Sequence, residues 1–511
     1  MEELKLFIKP EVLGLLTDIG RFLAEKGIRA YIVGGFVRDM ILDRDTDDID
    51  IAIDARAMEI APEIATAFGG RYVALDEANE VGRVILLNNQ HYITKEKWAL
   101  DFTTLRGSIE EDLSQRDFTI DALAIELERI LAVPDNISHG MLIDPFNGRD
   151  DLRQRMVRVV SDTVFQADPA RLLRAVRLAA ELDFSIDGET ETLIQQHSHL
   201  IAGVPGERIR EEWLRLLAAH KAGHWLAYLE KLGILTKMVP ELANARGVSQ
   251  PKEHVWDVFD HSLQTVTAVE FLLREGIWEH AGKKVLESVP WSTRLSQHFD
   301  REVSSGSTRR SLLKLAALLH DIAKPQTKTV DKDGRARFLG HPQEGAAAAA
   351  SILERLRFST REVNLIELAV RYHLRPVQMS QEGFPSRRAI YRYFRDTSET
   401  GIDILFLSLA DHLAARGTYL DLPQWAEHTG IVEYVLNRHD EEESLSAPAK
   451  LIDGHDLIQI FGLNPGPRVG VLLEAVREAQ AAGEVVTRNE ALHYVEIWLT
   501  RQAGESREEP I

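Results

Sequence analysis

Apolar residues recur at helical spacing between Glu11 and Lys26, with Leu13, Leu16, Ile19, Phe22 and Leu23 on one side. Short apolar runs follow at residues 29–33, 49–53, 71–74, 84–87 and near 100–104, the length and composition of strands. The alternation predicts a mixed α/β head over residues 1–143. From residue 144 the pattern turns helical, with helices expected at 169–182, 189–198, 206–219 and 225–232 in a neck and body over 144–250. A third helical region, 251–418, carries expected helices at 311–323, 344–356 and 361–372. Ser304-Ser305-Gly306-Ser307 interrupts it as an expected exposed loop. A helical tail domain, 419–511, comes last, and the acidic run Asp440-Glu441-Glu442-Glu443 within it is expected to be a solvated connector.

Charge and composition narrow the classes. The 511 residues hold 60 Lys and Arg against 80 Asp and Glu, a formal charge of -20. That balance argues against a protein that coats nucleic acid without selection, but leaves room for a local basic groove. The absence of cysteine excludes disulfides and thiolate metal sites. Met1-Glu2-Glu3-Leu4-Lys5 lacks a signal-peptide pattern, and no apolar run reaches the roughly 18 residues of a membrane helix. A soluble, cytoplasmic protein with no membrane partner is expected.

The chemistry sits in four blocks. Tyr31-Ile32-Val33-Gly34-Gly35-Phe36-Val37-Arg38-Asp39 reads as strand, glycine turn and helix, and the next strand opens Asp48-Ile49-Asp50. Residues two apart on a strand share a face, so Asp48 and Asp50 converge. Such paired hard oxygens suit Mg²⁺, and glycines let backbone N–H groups approach phosphate. Each feature alone is an ordinary turn; their order and spacing describe metal-assisted nucleotidyl transfer. Asp101, in Leu100-Asp101-Phe102, is a candidate third carboxylate, or a strand acid satisfied by its neighbours. Gln115-Arg116-Asp117-Phe118-Thr119-Ile120-Asp121-Ala122 offers an Arg-Asp pair suited to ribose and phosphate. In Asp168-Pro169-Ala170-Arg171-Leu172-Leu173-Arg174, the proline marks a helix start, and the charged residues fall three apart on one face. A carboxylate beside a guanidinium can mimic a Watson–Crick edge; a surface helix with ordinary charges is the plainer reading.

Taken in this order over roughly residues 30–217, the blocks resemble class II tRNA nucleotidyltransferases and bacterial poly(A) polymerases. The resemblance implies a polymerase-β-like head with Mg²⁺ on Asp48 and Asp50 and Asp101 as a catalytic helper. It gives the triphosphate to Gly34, Gly35 and Arg38, and a sugar or phosphate contact to Arg116. Base reading falls to Asp168 and Arg171, with Arg174 extending the stripe. The chain departs from the family pattern at three places. Gln115 stands for the first Arg of R-R-D-F-T-I-N-A, Asp121 for its Asn, and Ala167 for the Glu of E-D-x-x-R. Only Gly107-Ser108-Ile109-Glu110-Glu111 separates Arg106 from Asp112, where many full CCA-adding relatives carry a longer loop associated with the switch to A.

A second constellation is His261, His320-Asp321 and Asp411, on three expected helices. Imidazole with carboxylate suits a divalent transition ion, and an open position leaves room for an activated water. The order resembles the H…HD…D pattern of the HD phosphohydrolase superfamily, which implies hydrolysis of phosphoesters, including 2′,3′-cyclic ends. His341 and His373 stay open as ligands of a second metal, phosphate contacts or ordinary polar residues. Arg208 and Arg210 are open between tRNA phosphates and a solvated helix face. The expected function is a tRNA nucleotidyltransferase that builds or repairs the 3′ CCA end from CTP and ATP. The alternatives are a CC-adding or A-adding specialist, a poly(A) polymerase, an HD phosphohydrolase with an RNA-binding head, and a non-catalytic RNA-binding protein.

Overall fold

The computed structural model describes residues 8–46, 48–77, 79–87, 97–133, 139–381, 383–444 and 450–505. It forms two compact units. One runs to Val204 and takes in Leu229–Met238; the other holds Pro205–Tyr228 and the chain from Val239.

The first unit is built on a seven-stranded sheet. Its strands are β1 (Ala30–Val33), β2 (Asp48–Ile53), β3 (Arg71–Asp76), β4 (Val81–Leu87), β5 (Lys97–Thr104), β6 (Ala124–Glu126) and β7 (Leu142–Ile143), in the order β3-β4-β5-β2-β1-β6-β7. Only β2 and β5 pair in parallel; the other neighbours are antiparallel. Ile49, Ile51, Ala52 and Ile53 are all buried, so β2 is covered on both faces beyond its first residues, as a central strand should be.

Helix α1 (Pro10–Glu25) buries Val12, Leu15, Leu16, Ile19 and Leu23. The buried stripe is thus rotated from the expected one: Leu13 and Phe22 are only half-buried, while Val12 and Leu15 face inward. The rotation follows from Gly20, where an added Cβ would meet Leu131 Cδ1 at 2.4 Å. That close approach fixes which face of α1 packs. Helix α2 (Gly35–Ile41) leads from β1 toward β2, α3 (Ala57–Ala67) follows β2, and α4 (Ile109–Ser114) follows β5. After β6 the chain adds α5 (Leu127–Ala132), and after β7 come α6 (Gly148–Gln154), α7 (Val164–Ala167) and α8 (Arg171–Leu182).

The second unit is helical. Helices Val258–Leu272, Arg309–Leu319, His341–Arg355, Thr360–Tyr372 and Gly401–Arg416 carry its chemistry. Residues 304–307, expected to be a loop, close a small hairpin, Glu302–Ser304 with Ser307–Thr308, in which Ser307 is buried. The acidic run 440–443 is not a connector: it ends the 23-residue helix Leu422–Ser444, with Asp440 paired to Arg294 and Glu441 to Arg438. The tail packs helices Gly454–Phe461, Pro467–Ala481 and Arg488–Glu505 around Leu457, Leu472, Val476, Ala491 and Val495. Among the described residues, no helix is long and apolar enough to cross a membrane.

Candidate active sites

The head places the acids by strand register. Asp50 on β2 lies opposite Asp101 on the parallel β5, and Asp101 lies opposite Arg83 on β4. Asp48 is exposed at the start of β2 and Asp50 half-buried two residues on. Burial holds the Asp50 carboxyl up to about 6, with Arg116 pulling it down and Asp101 and Asp121 pushing it up. Among the described residues no donor hydrogen-bonds to this carboxylate.

Gly34 explains why this turn needs glycine. Its φ is +72°, a region other residues avoid. A Cβ there would come 2.5 Å from Arg116 Nη1 and 3.0 Å from Asp50 Oδ2. Gly34 therefore supplies space, because its own N–H donates to the Leu123 carbonyl at 3.1 Å within the sheet. The open cradle beside an undonated carboxylate, with Asp48 on the same edge of β2, fits a hard divalent cation.

Arg38 is more committed than expected. It donates from Nε and Nη2 to both Asp39 oxygens at 2.9 and 3.0 Å, and from Nη1 to Asp121 Oδ1 at 2.6 Å. Burial works against its charge, but Asp121 and Asp39 hold it firmly protonated. This accounts for the Asp121 departure: an ionised carboxylate accepts from a buried guanidinium, where an Asn carbonyl would be the weaker partner. Three of the five N–H groups of Arg38 thus brace the turn.

Arg116 lies beside Gly34 and Asp50, with Asp112 3.6 Å from its Nη2. Its neighbour Asp117 is buried and accepts from the Phe118 N–H at 3.0 Å, with Arg174 Nε 2.9 Å away. Burial would raise the Asp117 carboxyl, but Arg174 and Arg171 outweigh it and hold it below its usual range. Asp168 and Arg171 lie 3.8 Å apart, although Asp168 is extended and outside the helix, so their pairing does not come from helical spacing. Arg171 also donates from Nη2 to the Gln115 carbonyl at 3.1 Å, so the Gln115 departure falls where the backbone, not the side chain, holds Arg171. The helix itself starts at Arg171, and Asp168 caps the end of α7. The structure thus gathers Asp48, Asp50, Asp101, Gly34, Gly35, Arg38, Arg116, Asp168, Arg171 and Arg174 into one unit. Arg83 was missed, because it acts through Asp101, a partner that only strand register reveals.

The loop between β5 and α4 is closed rather than merely short. Ser108 caps α4 in a capping box with Glu111, and the Glu111 carboxylate fills the space a Cβ at Gly107 would occupy, 1.8 Å away. Gly107 has φ +78°.

In the second unit, four helices and one helix start bring His261, His320, Asp321, His341, His373 and Asp411 together. His261 Nε2 lies 3.0 Å from Asp411 Oδ1 and 3.6 Å from Asp321 Oδ2; His320 Nε2 lies 3.1 Å from Asp321 Oδ2 and 3.8 Å from Asp411 Oδ1. On the far side, Asp321 Oδ1 lies 3.4 Å from His341 Nε2 and 3.8 Å from His373 Nε2. The Nδ1 atoms of His320, His341 and His373 lie 2.6–2.8 Å from the carbonyls of Ala317, Phe338 and Val370. Each backbone contact fixes a tautomer that turns Nε2 inward, the second-layer arrangement of metal-binding histidines. Both ring nitrogens of His261, Nε2 of His320 and both oxygens of Asp321 are buried without an aligned hydrogen bond. These orphaned atoms fit a cation. Without one, His320 takes up charge: burial opposes it, but Asp321 and Asp411 raise it to about 10. Burial pushes His373 down to about 3, and His261 and His341 also shift down. Lys324 pairs with Asp321 at 2.6 Å, and His254 adds a ring nitrogen near His261 and Asp411. Sequence spacing gave no sign of either.

Arg210 is a structural residue. It binds buried Glu362 at 2.8 Å and donates to Ser304 at 3.0 Å.

Four protein families match successive stretches of the chain. The poly A polymerase head domain covers residues 30–158, and the probable RNA and SrmB-binding site of polymerase A covers 183–246. The HD domain covers 258–416, and tRNA nucleotidyltransferase domain 2 covers 425–495. The A-adding tRNA nucleotidyltransferase of Deinococcus radiodurans is 33% identical over 93% of this chain and 96% of its own. The CC-adding tRNA nucleotidyltransferase of Thermus thermophilus is 31% identical over 92% and 93%. A solved Thermotoga maritima CCA-adding enzyme, complexed with tRNA, shares the fold over 96% of each chain, with a TM-score of 0.59 and 22% identity. With the carboxylate row, the glycine cradle and the histidine cluster in place, the chain belongs to the class II tRNA nucleotidyltransferases that carry an HD domain.

Proposed function

We propose that this enzyme transfers nucleotides from CTP or ATP to the 3′-hydroxyl of tRNA, building or repairing the CCA end and releasing pyrophosphate. The observation that carries the reading is the row of Asp50 and Asp101 in parallel register, beside the space kept open by Gly34. Mg²⁺ on Asp48 and Asp50 would activate the attacking hydroxyl and neutralise triphosphate charge. Arg116, next to Asp50, is placed to meet phosphate or ribose. Asp168 and Arg171 present an acceptor and donors on one edge to an incoming base, with Arg171 oriented by the Gln115 carbonyl. Arg38 contributes by bracing the turn through Asp39 and Asp121. The tRNA would be held by shape and phosphate rather than sequence. For a division into head 1–143, body 144–250, HD domain 251–418 and tail 419–511, the family matches at 183–246, 258–416 and 425–495 support the last three, while the head match extends past 143 to 158.

A single-step specialist is the favoured form of this reading. The capped turn at Ser108 leaves no span for the loop associated with switching to A, and both relatives named above carry single-step names. The HD cluster would hold one divalent transition ion on His261, His320, Asp321 and Asp411, with a second position at Asp321, His341 and His373. An ion there would supply an activated water for phosphoester hydrolysis. The deciding experiment is incorporation of labelled CTP and ATP into tRNA ending at the discriminator base, at -C and at -CC. Ordered C, C and A addition identifies a full CCA enzyme. C addition that stops before A identifies a CC specialist, and A addition only to -CC its complement. No incorporation on any of the three sinks the transferase reading.

A further inference from the structure

Across the head sheet, four residues form one row: Val33, Asp50, Asp101 and Arg83 are successive register partners on β1, β2, β5 and β4. Asp50 and Asp101 differ sharply within that row. Asp50 has no hydrogen-bond donor among the described residues. Asp101 accepts from Arg83 Nε and Nη2 through both oxygens, each at 2.7 Å. Such a fork is fixed in direction, occupies one lone pair on each oxygen and cancels the carboxylate charge. The outward lone pairs remain. An acid neutralised this way is a poor ligand for a second cation but a well-oriented acceptor for a hydroxyl.

Resting on the transferase reading above, we propose that Arg83 is a positioning residue for nucleotidyl transfer. It divides the labour of the three acids: Asp48 and Asp50 hold the ion, while Asp101, fixed and neutralised by Arg83, orients the attacking 3′-hydroxyl. Arg83 touches no substrate in this scheme; it acts through Asp101.

The test compares Arg83→Gln, Arg83→Lys, Asp101→Asn and the double variant Arg83→Gln/Asp101→Asn in the full chain. It uses steady-state incorporation, thermal melting and Mn²⁺ binding followed by electron paramagnetic resonance. The HD cluster adds the same Mn²⁺ sites to every variant and drops out of the comparison. Arg83→Gln lowers kcat about tenfold to hundredfold, as loss of a partner behind a reacting group does. KM for the nucleotide stays within about twofold, because ground-state binding is untouched. Arg83→Lys recovers part of the rate, since an ammonium pairs with Asp101 but cannot fork. The double variant is no slower than the slower single one. Removing a positive charge and freeing Asp101 raises Mn²⁺ affinity about threefold or more in Arg83→Gln, whereas a damaged fold would lower it. Unchanged kcat, multiplicative losses in the double variant, or unchanged or weaker Mn²⁺ binding each overturn the role. If the wild type incorporates no nucleotide, the transferase reading itself has failed; if the wild type is active, Asp50→Ala is dead and Arg83→Gln is normal, only this inference has.

Discussion

The two candidate sites would solve the same problem, holding a cation, by opposite means. The head uses short-range sequence: Asp48 and Asp50 are two residues apart, and Gly34, which makes room beside Asp50, lies in the turn just after the adjacent strand. Its acids lie on the central strands β2 and β5, with Asp48 exposed and Asp50 half-buried, open enough to admit a triphosphate and an RNA end. The HD cluster is assembled from helices spread over 150 residues, and its candidate ligands are buried except for half-buried Asp411. There the backbone carbonyls of Ala317, Phe338 and Val370 aim the rings before any ion arrives. The difference teaches that the head is preorganised by space and the HD site by orientation.

The strongest way to break the comparison is to disable each site separately. Asp50→Ala should reduce CTP and ATP incorporation by at least about a thousandfold, because the ion loses its buried ligand. Phosphodiester hydrolysis, assayed on bis-p-nitrophenyl phosphate, should stay intact. His320→Ala with Asp321→Ala should do the reverse, abolishing bound transition metal by elemental analysis while leaving incorporation within about twofold. Loss of both activities in either variant would show that the sites are not independent.

Gly34→Ala sharpens the claim that the head is preorganised by space. The methyl group would displace Arg116 and press on Asp50 in a backbone region alanine disfavours. Incorporation should fall about a hundredfold, with HD hydrolysis unchanged. Wild-type incorporation by this variant would remove the cradle argument.

What the sequence disclosed follows the same division. Asp48, Asp50, Gly34 and the His320-Asp321 pair were legible because their meaning lies within a few residues or in a known order. The α1 stripe was nearly legible, but Gly20 rotated it by allowing Leu131 to approach. Arg83 on Asp101, Asp121 on Arg38 and the Gln115 carbonyl on Arg171 were not legible, since each depends on which strands or helices are neighbours. The Asp121 and Gln115 departures therefore looked like losses until their partners were known. Asp121→Asn tests this: restoring the family residue should lower stability by about 1–3 kcal/mol, since buried Arg38 loses a charged acceptor. A rise in melting temperature would contradict it.

The last prediction concerns Arg210, whose sequence context allowed an RNA-contacting role. Its partner Glu362 is fully buried. Burial would raise that carboxyl, but Arg210, Ser307, the Ser359 N–H and Ser304 together lower it to about 2 from an ordinary 4.5. A depressed carboxyl stabilises the fold fully above its unfolded value and loses that contribution as pH falls through its folded value. The difference in urea-unfolding stability between the wild type and Glu362→Gln should therefore be constant above about pH 5 and shrink steadily between pH 4.5 and 2. Breaking the pair should cost about 3 kcal/mol at neutral pH, and Arg210→Ala should cost a similar amount while leaving tRNA affinity unchanged. If Arg210→Ala instead weakened tRNA binding and flattened its salt dependence at unchanged stability, the arginine would be a phosphate contact, and the pair with Glu362 would be incidental.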